Sequence, residues 1–243
     1  MGFLQKLFGK KERETGSCAV IVVAAGNAAR MEGIDKIMTP LGGEPMLLHA
    51  LVPFQACGQV AEIVIVARED RMVEIGALCS RHGLDKVKRV VKGGDTRTAS
   101  VWAGIQAVSK EMDFIAIHDG ARPFVTEEIV EETIRTAMAR SAAAPAVPVK
   151  DTIKRAEEGV VTETLDRSVL FAIQTPQIFA APLIRAGIQK AVEENTALTD
   201  DCAAVERLGC PVALTQGSEE NIKITTRADL ILGEAILAAR AGY

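Results

Sequence analysis

Two cations, Arg30 and Lys36, follow an apolar run at Ala19–Ala25 that ends on Gly26. The run is rich in β-branched residues and bounded by glycine, so it reads as a buried strand with Ala24, Ala25 and Gly26 at its carboxyl end. Loops leaving the carboxyl ends of such strands are where open α/β sheets bind ligands. Cations and free backbone N–H groups there suit a phosphate chain. The same residues also fit an ordinary β–α turn with two solvated charges.

Further clusters fall where later strands end. Gly93-Gly94-Asp95-Thr96-Arg97-Thr98-Ala99-Ser100 opens a helix. Its glycines let backbone approach a ligand, while Asp95 and Ser100 offer directional polar contacts; a plain turn with a helix cap is the alternative. His118-Asp119-Gly120-Ala121-Arg122-Pro123 places a carboxylate beside a glycine and an arginine. Asp119 there can bind Mg²⁺ or a hydroxyl next to a phosphate site, or form a surface ion pair. Asp166-Arg167 precedes Gln174-Thr175-Pro176-Gln177, and Asn221–Thr226 alternates polar and apolar residues. That alternation fits an edge strand with Lys223 snorkelling to solvent.

The elements that must position these residues alternate along the chain. Strand patterns occupy Ala19–Ala25, Glu62–Ala67, Val87–Val91, Phe114–His118 and Ala142–Val149. Helix patterns occupy Pro45–Cys57, Asp70–Arg81, Asp95–Ser109 and Glu127–Arg140, with Thr126 as a cap before two glutamates. Such alternation predicts an α/β fold, a mostly parallel sheet with helices on both faces. The pattern breaks after Val149. Thr152–Arg155 and Val160–Leu165 flank Glu157-Glu158-Gly159, a hairpin signal, and neither arm is apolar enough to anchor a core. This hairpin, within about residues 150–168, is expected to protrude and bury itself against another subunit. Helices are expected at Pro182–Glu193, Asp200–Leu208 and Arg227–Arg240, with a short strand at Pro211–Thr215. Residues 18–243 are thus read as one domain, preceded by a flexible or weakly amphipathic tail over 1–17.

Composition narrows the function classes. Net charge is −4 and aromatics are 4%, with no long basic block, so no nucleic-acid footprint is present. No run of about 18 apolar residues exists to span a membrane. Five dispersed cysteines without a C-x-x-C point to a reducing, cytoplasmic setting rather than to a catalytic thiol. His49, His82 and His118 are isolated from one another, which argues against a zinc site.

Seven short motifs then occur in one order: Ala-Ala-Gly-x-x-x-Arg-Met…Lys, Gly-Gly-Asp-x-Arg-x-x-Ser, His-Asp-x-Ala-Arg-Pro, Asp-Thr-Ile-Lys, Leu-Asp-Arg, Gln-Thr-Pro-Gln and Asn-Ile-Lys-Ile-Thr. Together, over residues 18–240, they resemble the 2-C-methyl-D-erythritol 4-phosphate cytidylyltransferases of the non-mevalonate isoprenoid pathway. The resemblance implies a Rossmann-like nucleotidyltransferase fold and a homodimer joined through the hairpin arms. It implies that Arg30 and Lys36 stabilise charge on the triphosphate of CTP, alongside the Ala24-Ala25-Gly26 backbone. Gly94, Asp95 and Ser100 would hold the cytosine, with Asp119 and Gly120 also against the nucleotide. Asp119 and Arg122 would lie near ribose and sugar phosphate, and Thr152 and Arg167 would reach the methylerythritol phosphate of the partner subunit. Lys223 would orient that nucleophile. Mg²⁺ or another divalent cation would bridge the CTP phosphates, with Asp119 as its protein ligand. The chain departs from the family's usual loop at Ala28, Ala29 and Ile37, none of which removes a charge the reaction needs.

The chemistry implied needs no general base, because a phosphate monoester is already anionic near neutral pH, its second pKa being about 6. It needs charge neutralisation between two polyanions and in-line placement. A ribitol 5-phosphate cytidylyltransferase shares some of the motifs and is the alternative, although Ala24-Ala25-Gly26 and Asp151-Thr152-Ile153-Lys154 favour the erythritol enzyme. A nicotinamide dehydrogenase lacks its Gly-x-Gly-x-x-Gly here. A non-catalytic nucleotide-binding regulator would have lost a reactive-loop charge.

Overall fold

The computed structural model describes residues 16–26 and 36–242. Strand β1 (Cys18–Ala24) lies at the centre of the main sheet, parallel to β4 (Val60–Ala67) on one side and β6 (Phe114–Asp119) on the other. Strand β5 (Val87–Lys92) extends the sheet beyond β4, again parallel. Between β1 and β4 come two paired dipeptides, β2 (Pro40–Leu41) and β3 (Glu44–Pro45). Beyond β6 the order becomes mixed. Strand β7 (Ala142–Pro148) is followed by the hairpin β8 (Lys154–Glu157) and β9 (Val160–Thr164), which among the described residues pairs only with itself. The chain then returns antiparallel along β7 as β10 (Phe171–Ile173) and β11 (Gln177–Ala180), and β11 also pairs antiparallel with β6. Finally β12 (Ala213–Gln216) runs parallel to β7.

Strand periodicity sorts the core into two layers. Val20 and Val22 of β1 and Ile63 and Ile65 of β4 face one side. There they meet α1 (Met46–Ala56), α2 (Met72–Arg81) and α4 (Glu127–Arg140). Ala19 and Ile21 of β1 and Val64 and Val66 of β4 face the other, against α3 (Arg97–Ala107), α5 (Ala181–Glu193) and the short α6 (Cys202–Glu206). Helix α7 (Arg227–Arg240) closes a small satellite core of Leu41, Met46, Phe124, Ile224 and Ile236. The expected parallel sheet with helices on both faces is the architecture found. No helix of the described residues is long and apolar enough to cross a membrane.

Local chemistry explains the boundaries. Thr126 caps α4 by accepting from Ile129 N–H, with Glu127 and Glu128 in the first turn. Helix α3 starts later than its apolar pattern because Thr96, not Asp95, is the cap. Pro45 stands just before α1 rather than within it. The hairpin turn uses Glu158 (φ 48°) and Gly159 (φ 81°), the two left-handed residues that a two-residue loop between twisted strands requires.

Candidate active site

The carboxyl ends of β1, β4, β5 and β6 open into a cleft of about 730 Å³. Ala25 and Gly26, Gly94 and Asp95, Ser100, Asp119 and Lys223 all line it. The chain brings these together from loops scattered over two hundred residues, at the sheet edge where α/β folds place ligands. Ala24 sits just behind as the last residue of β1.

Around Gly93-Gly94 the backbone packs closely on the residue that follows β1 and on the first turn of α3. A Cβ at Gly93 would come within 2.4 Å of Ala25 Cβ, and one at Gly94 within 2.6 Å of Ala99 Cβ. The buried Ser100 hydroxyl bonds both Gly94 N–H and Gly94 C=O, each at 3.2 Å. This fixes the Gly93–Ser100 stretch of the cleft wall. The Gly120 N–H donates to Val23 C=O at 3.0 Å, joining the end of β6 to β1.

Asp119 is the electrostatic centre. Lys223 Nζ donates to its Oδ2 at 2.7 Å, Arg97 Nη2 stands 3.6 Å from Oδ1, and Arg122 Nε stands 4.0 Å from Oδ2. Burial alone would raise this carboxyl, but Lys223 and Arg97 outweigh it and hold it below the usual carboxylate range. Asp119 is therefore ionised and neutralised by the chain itself. Lys223 does not snorkel away from the protein, and residues 221–225 form no strand. Their backbone bonds go elsewhere, Ile224 N–H to Ala121 C=O at 2.8 Å among them.

Arg97 escaped the sequence reading. Its guanidinium grips the buried Asp201 bidentately, at 2.9 and 2.6 Å. Burial raises the Asp201 carboxyl, which Arg97 opposes. Asp201 in turn hangs from Gln177, whose Oε1 accepts from the N–H groups of Asp201 and Cys202. Arg122 is held beside Asp119 by its Nη1, which donates to Asn221 C=O at 2.7 Å. Thr152 and Arg167 are exposed on the hairpin side and do not line the cleft, and Arg167 Nη1 donates to Lys150 C=O. Arg30 lies outside the described residues, and of Lys36 only the backbone, opening a short 3-10 turn, is described.

Among the described residues no group of three or more His, Cys, Asp or Glu could hold a metal ion. Asp119 alone, faced by three cations, does not make a protein cage for Mg²⁺. A Mg²⁺ carried on a triphosphate needs none, because that ion is commonly bound through substrate phosphates. Burial pushes all five thiols up, Cys79 to about 11, which removes them as nucleophiles.

His118 is fully buried, and burial drops its pKa to about 4. A directional chain explains its neutral form. Asp119 N–H donates to Thr175 Oγ1, Thr175 O–H to His118 Nδ1, and His118 Nε2–H to Arg122 C=O. The unfolded histidine titrates near 6.5, so the unfolded state gains a proton first as pH falls. Stability is expected to drop between about pH 6.5 and 4, by about 3 kcal/mol from this group. Urea unfolding at several pH values checks this: His118→Gln should flatten that part of the profile. An unchanged slope contradicts the assignment.

A family model described as 2-C-methyl-D-erythritol 4-phosphate cytidylyltransferase matches residues 18–239. The chain belongs to the 2-C-methyl-D-erythritol 4-phosphate cytidylyltransferase family. A family member of that name from Halalkalibacterium halodurans is 46% identical over 223 residues, covering 91% of this chain and 97% of its own. One from Caldanaerobacter subterraneus is 41% identical, covering 90% and 98%. Among solved structures, the 4-diphosphocytidyl-2C-methyl-D-erythritol synthase of Anaerococcus prevotii superposes with a TM-score of 0.82 at 30% identity. It is covered over 96% of its chain, against 92% of this one. The matched residues run from the start of β1 to the last turn of α7.

Proposed function

We propose that this chain is a cytidylyltransferase that moves the cytidylyl group of CTP onto 2-C-methyl-D-erythritol 4-phosphate. The products are 4-diphosphocytidyl-2-C-methyl-D-erythritol and pyrophosphate, a step of non-mevalonate isoprenoid biosynthesis. What carries the reading is the Asp119–Lys223–Arg97 cluster facing the Gly94–Ser100 slot across one cleft, in a chain of this family. Family membership favours this acceptor over ribitol 5-phosphate.

In the reaction, a phosphate oxygen of the sugar alcohol forms a bond to the α-phosphorus of CTP as the bond from that phosphorus to the β-phosphate oxygen breaks. The phosphate needs no base, and His118 could not serve, since both its ring nitrogens are engaged. Catalysis is then placement and charge. Arg30 and Lys36 meet the charge that develops as pyrophosphate leaves. The slot at Gly94, Asp95 and Ser100 takes the base, and ionised Asp119 accepts a hydroxyl of ribose or of the acceptor. Lys223 holds the attacking phosphate. A divalent cation brought in with the nucleotide would supply further neutralisation of the triphosphate's charge beside Arg30 and Lys36. Arg167 and Thr152 reach the acceptor from a second subunit whose arm crosses a two-fold axis. The enzyme works in the cytoplasm, which its five buried free thiols suit.

Nucleotide choice tests the slot. With the methylerythritol phosphate as acceptor, pyrophosphate release is expected to be strongly faster with CTP than with ATP or GTP, and appreciably faster than with UTP. Comparable turnover with purine nucleotides contradicts the placement of the base.

A further inference from the structure

We propose that Gln174, acting through Asn221, is a positioning residue for Lys223. The inference rests on the cytidylyl-transfer reading for its kinetic part. Lys223 sits in a segment without strand or helix, yet its amine reaches Asp119 at 2.7 Å. Something other than a ladder must hold that segment.

The side chain of Gln174 does so. It is buried between β10 and β11, and its backbone N–H is fixed to Pro145 C=O at 2.8 Å. Its Nε2 donates to Ser218 C=O at 2.7 Å, while Oε1 accepts from Ser218 N–H at 3.2 Å and from Asn221 Nδ2 at 3.3 Å. The amide orientation follows from these partners: the atom facing a carbonyl must donate and the atom facing an N–H must accept. Gly217 gives room for the contact, since a Cβ there would lie 2.6 Å from Gln174 Oε1.

Asn221 passes the constraint on. It is fully buried, and its Nδ2 also donates to Thr175 C=O at 3.1 Å. Its own carbonyl takes Arg122 Nη1. Its Oδ1 is buried without a protein partner, which is unfavourable. The amide's two donated bonds, to Gln174 and Thr175, give the position a direction that an apolar side chain would not. Two residues on, Lys223 lies between this anchor and Ile224, whose N–H is tied to Ala121 and whose side chain is in the satellite core. The segment thus has two fixed ends, which set where the Lys223 backbone lies and so how its half-exposed side chain reaches Asp119.

Misplacing a catalytic group by about 1 Å can cost up to 10²-fold. Gln174→Met and Asn221→Ala are therefore expected to lower kcat about 10- to 10²-fold with little change in KM for CTP. In a Lys223→Ala background either change should have almost no further effect, whereas in a Lys36→Ala background the full factor should persist. A second readout needs no turnover. Amine labelling followed by peptide mass spectrometry should show Lys223 modified slowly in the unaltered chain and several-fold faster in both variants, other lysines being unchanged. Multiplicative losses in the Lys223→Ala background, or unchanged Lys223 labelling in the variants, overturn the proposal. An unaltered protein that forms no cytidylyl product strikes the functional reading instead, and the labelling then decides the positioning role by itself.

Discussion

Lys36→Ala is expected to lower kcat about 10²–10³-fold while leaving KM for CTP nearly unchanged, and Arg30→Ala to do the same. Charge grows on the bridging and pyrophosphate oxygens only as the α-phosphate bond breaks, so cations aimed there act on the transition state more than on the bound nucleotide. The 3-10 turn that begins at Lys36 lies beside the cleft, with Ile37 in its lining. Steady-state kinetics with each variant provide the check. Near-normal turnover in either one contradicts the roles given to this loop.

The second large effect concerns the hairpin. Every residue of β8 and β9 is exposed, and Val160, Val161, Val169 and Phe171 are 67%, 56%, 71% and 44% exposed. A two-stranded hairpin with no third strand is marginal by itself in water. Its apolar side chains and free edges call for a partner surface. The cleft in turn lacks Arg167 and Thr152 from its own chain. An arm exchanged across a two-fold axis meets both needs, since each subunit gives what it receives. An inactive Arg167→Ala chain mixed with an inactive Lys36→Ala chain should then regain activity. In a mixed dimer one cleft has both Lys36 and the partner's intact arm. Labelled chains establish that subunits exchange. Mixed dimers that form and stay inactive contradict the composite site.

Much of this organisation is legible in the sequence, for reasons that can be assigned. Strand β1 is recognisable because both its faces are buried, which gives an unbroken apolar run. Helix α4 announces its start with Thr126 and its first-turn glutamates, and the hairpin announces its turn with Glu158-Gly159. Strands β10 and β11 were hidden by Gln174-Thr175-Pro176, polar and proline residues that interrupt a short apolar stretch. Those interruptions are the anchors of the site. Asn221–Thr226 misleads in the opposite direction: its alternation imitates a strand, although Ile224 enters the satellite core and Lys223 turns to Asp119. Pairing between Arg97 and Asp201, 104 residues apart, has no local signature at all. Local patterns specify elements, while contacts made only after the sheet has assembled specify the charges in the cleft.

Pyrophosphate release from CTP, followed with 2-C-methyl-D-erythritol 4-phosphate and with ribitol 5-phosphate as alternative acceptors, tests the central claim most directly. Rapid release with the methylerythritol phosphate, matched by formation of its cytidyl diphosphate, and little or none with ribitol 5-phosphate is the result expected. Equal or faster release with ribitol 5-phosphate, or none with either acceptor, would contradict it.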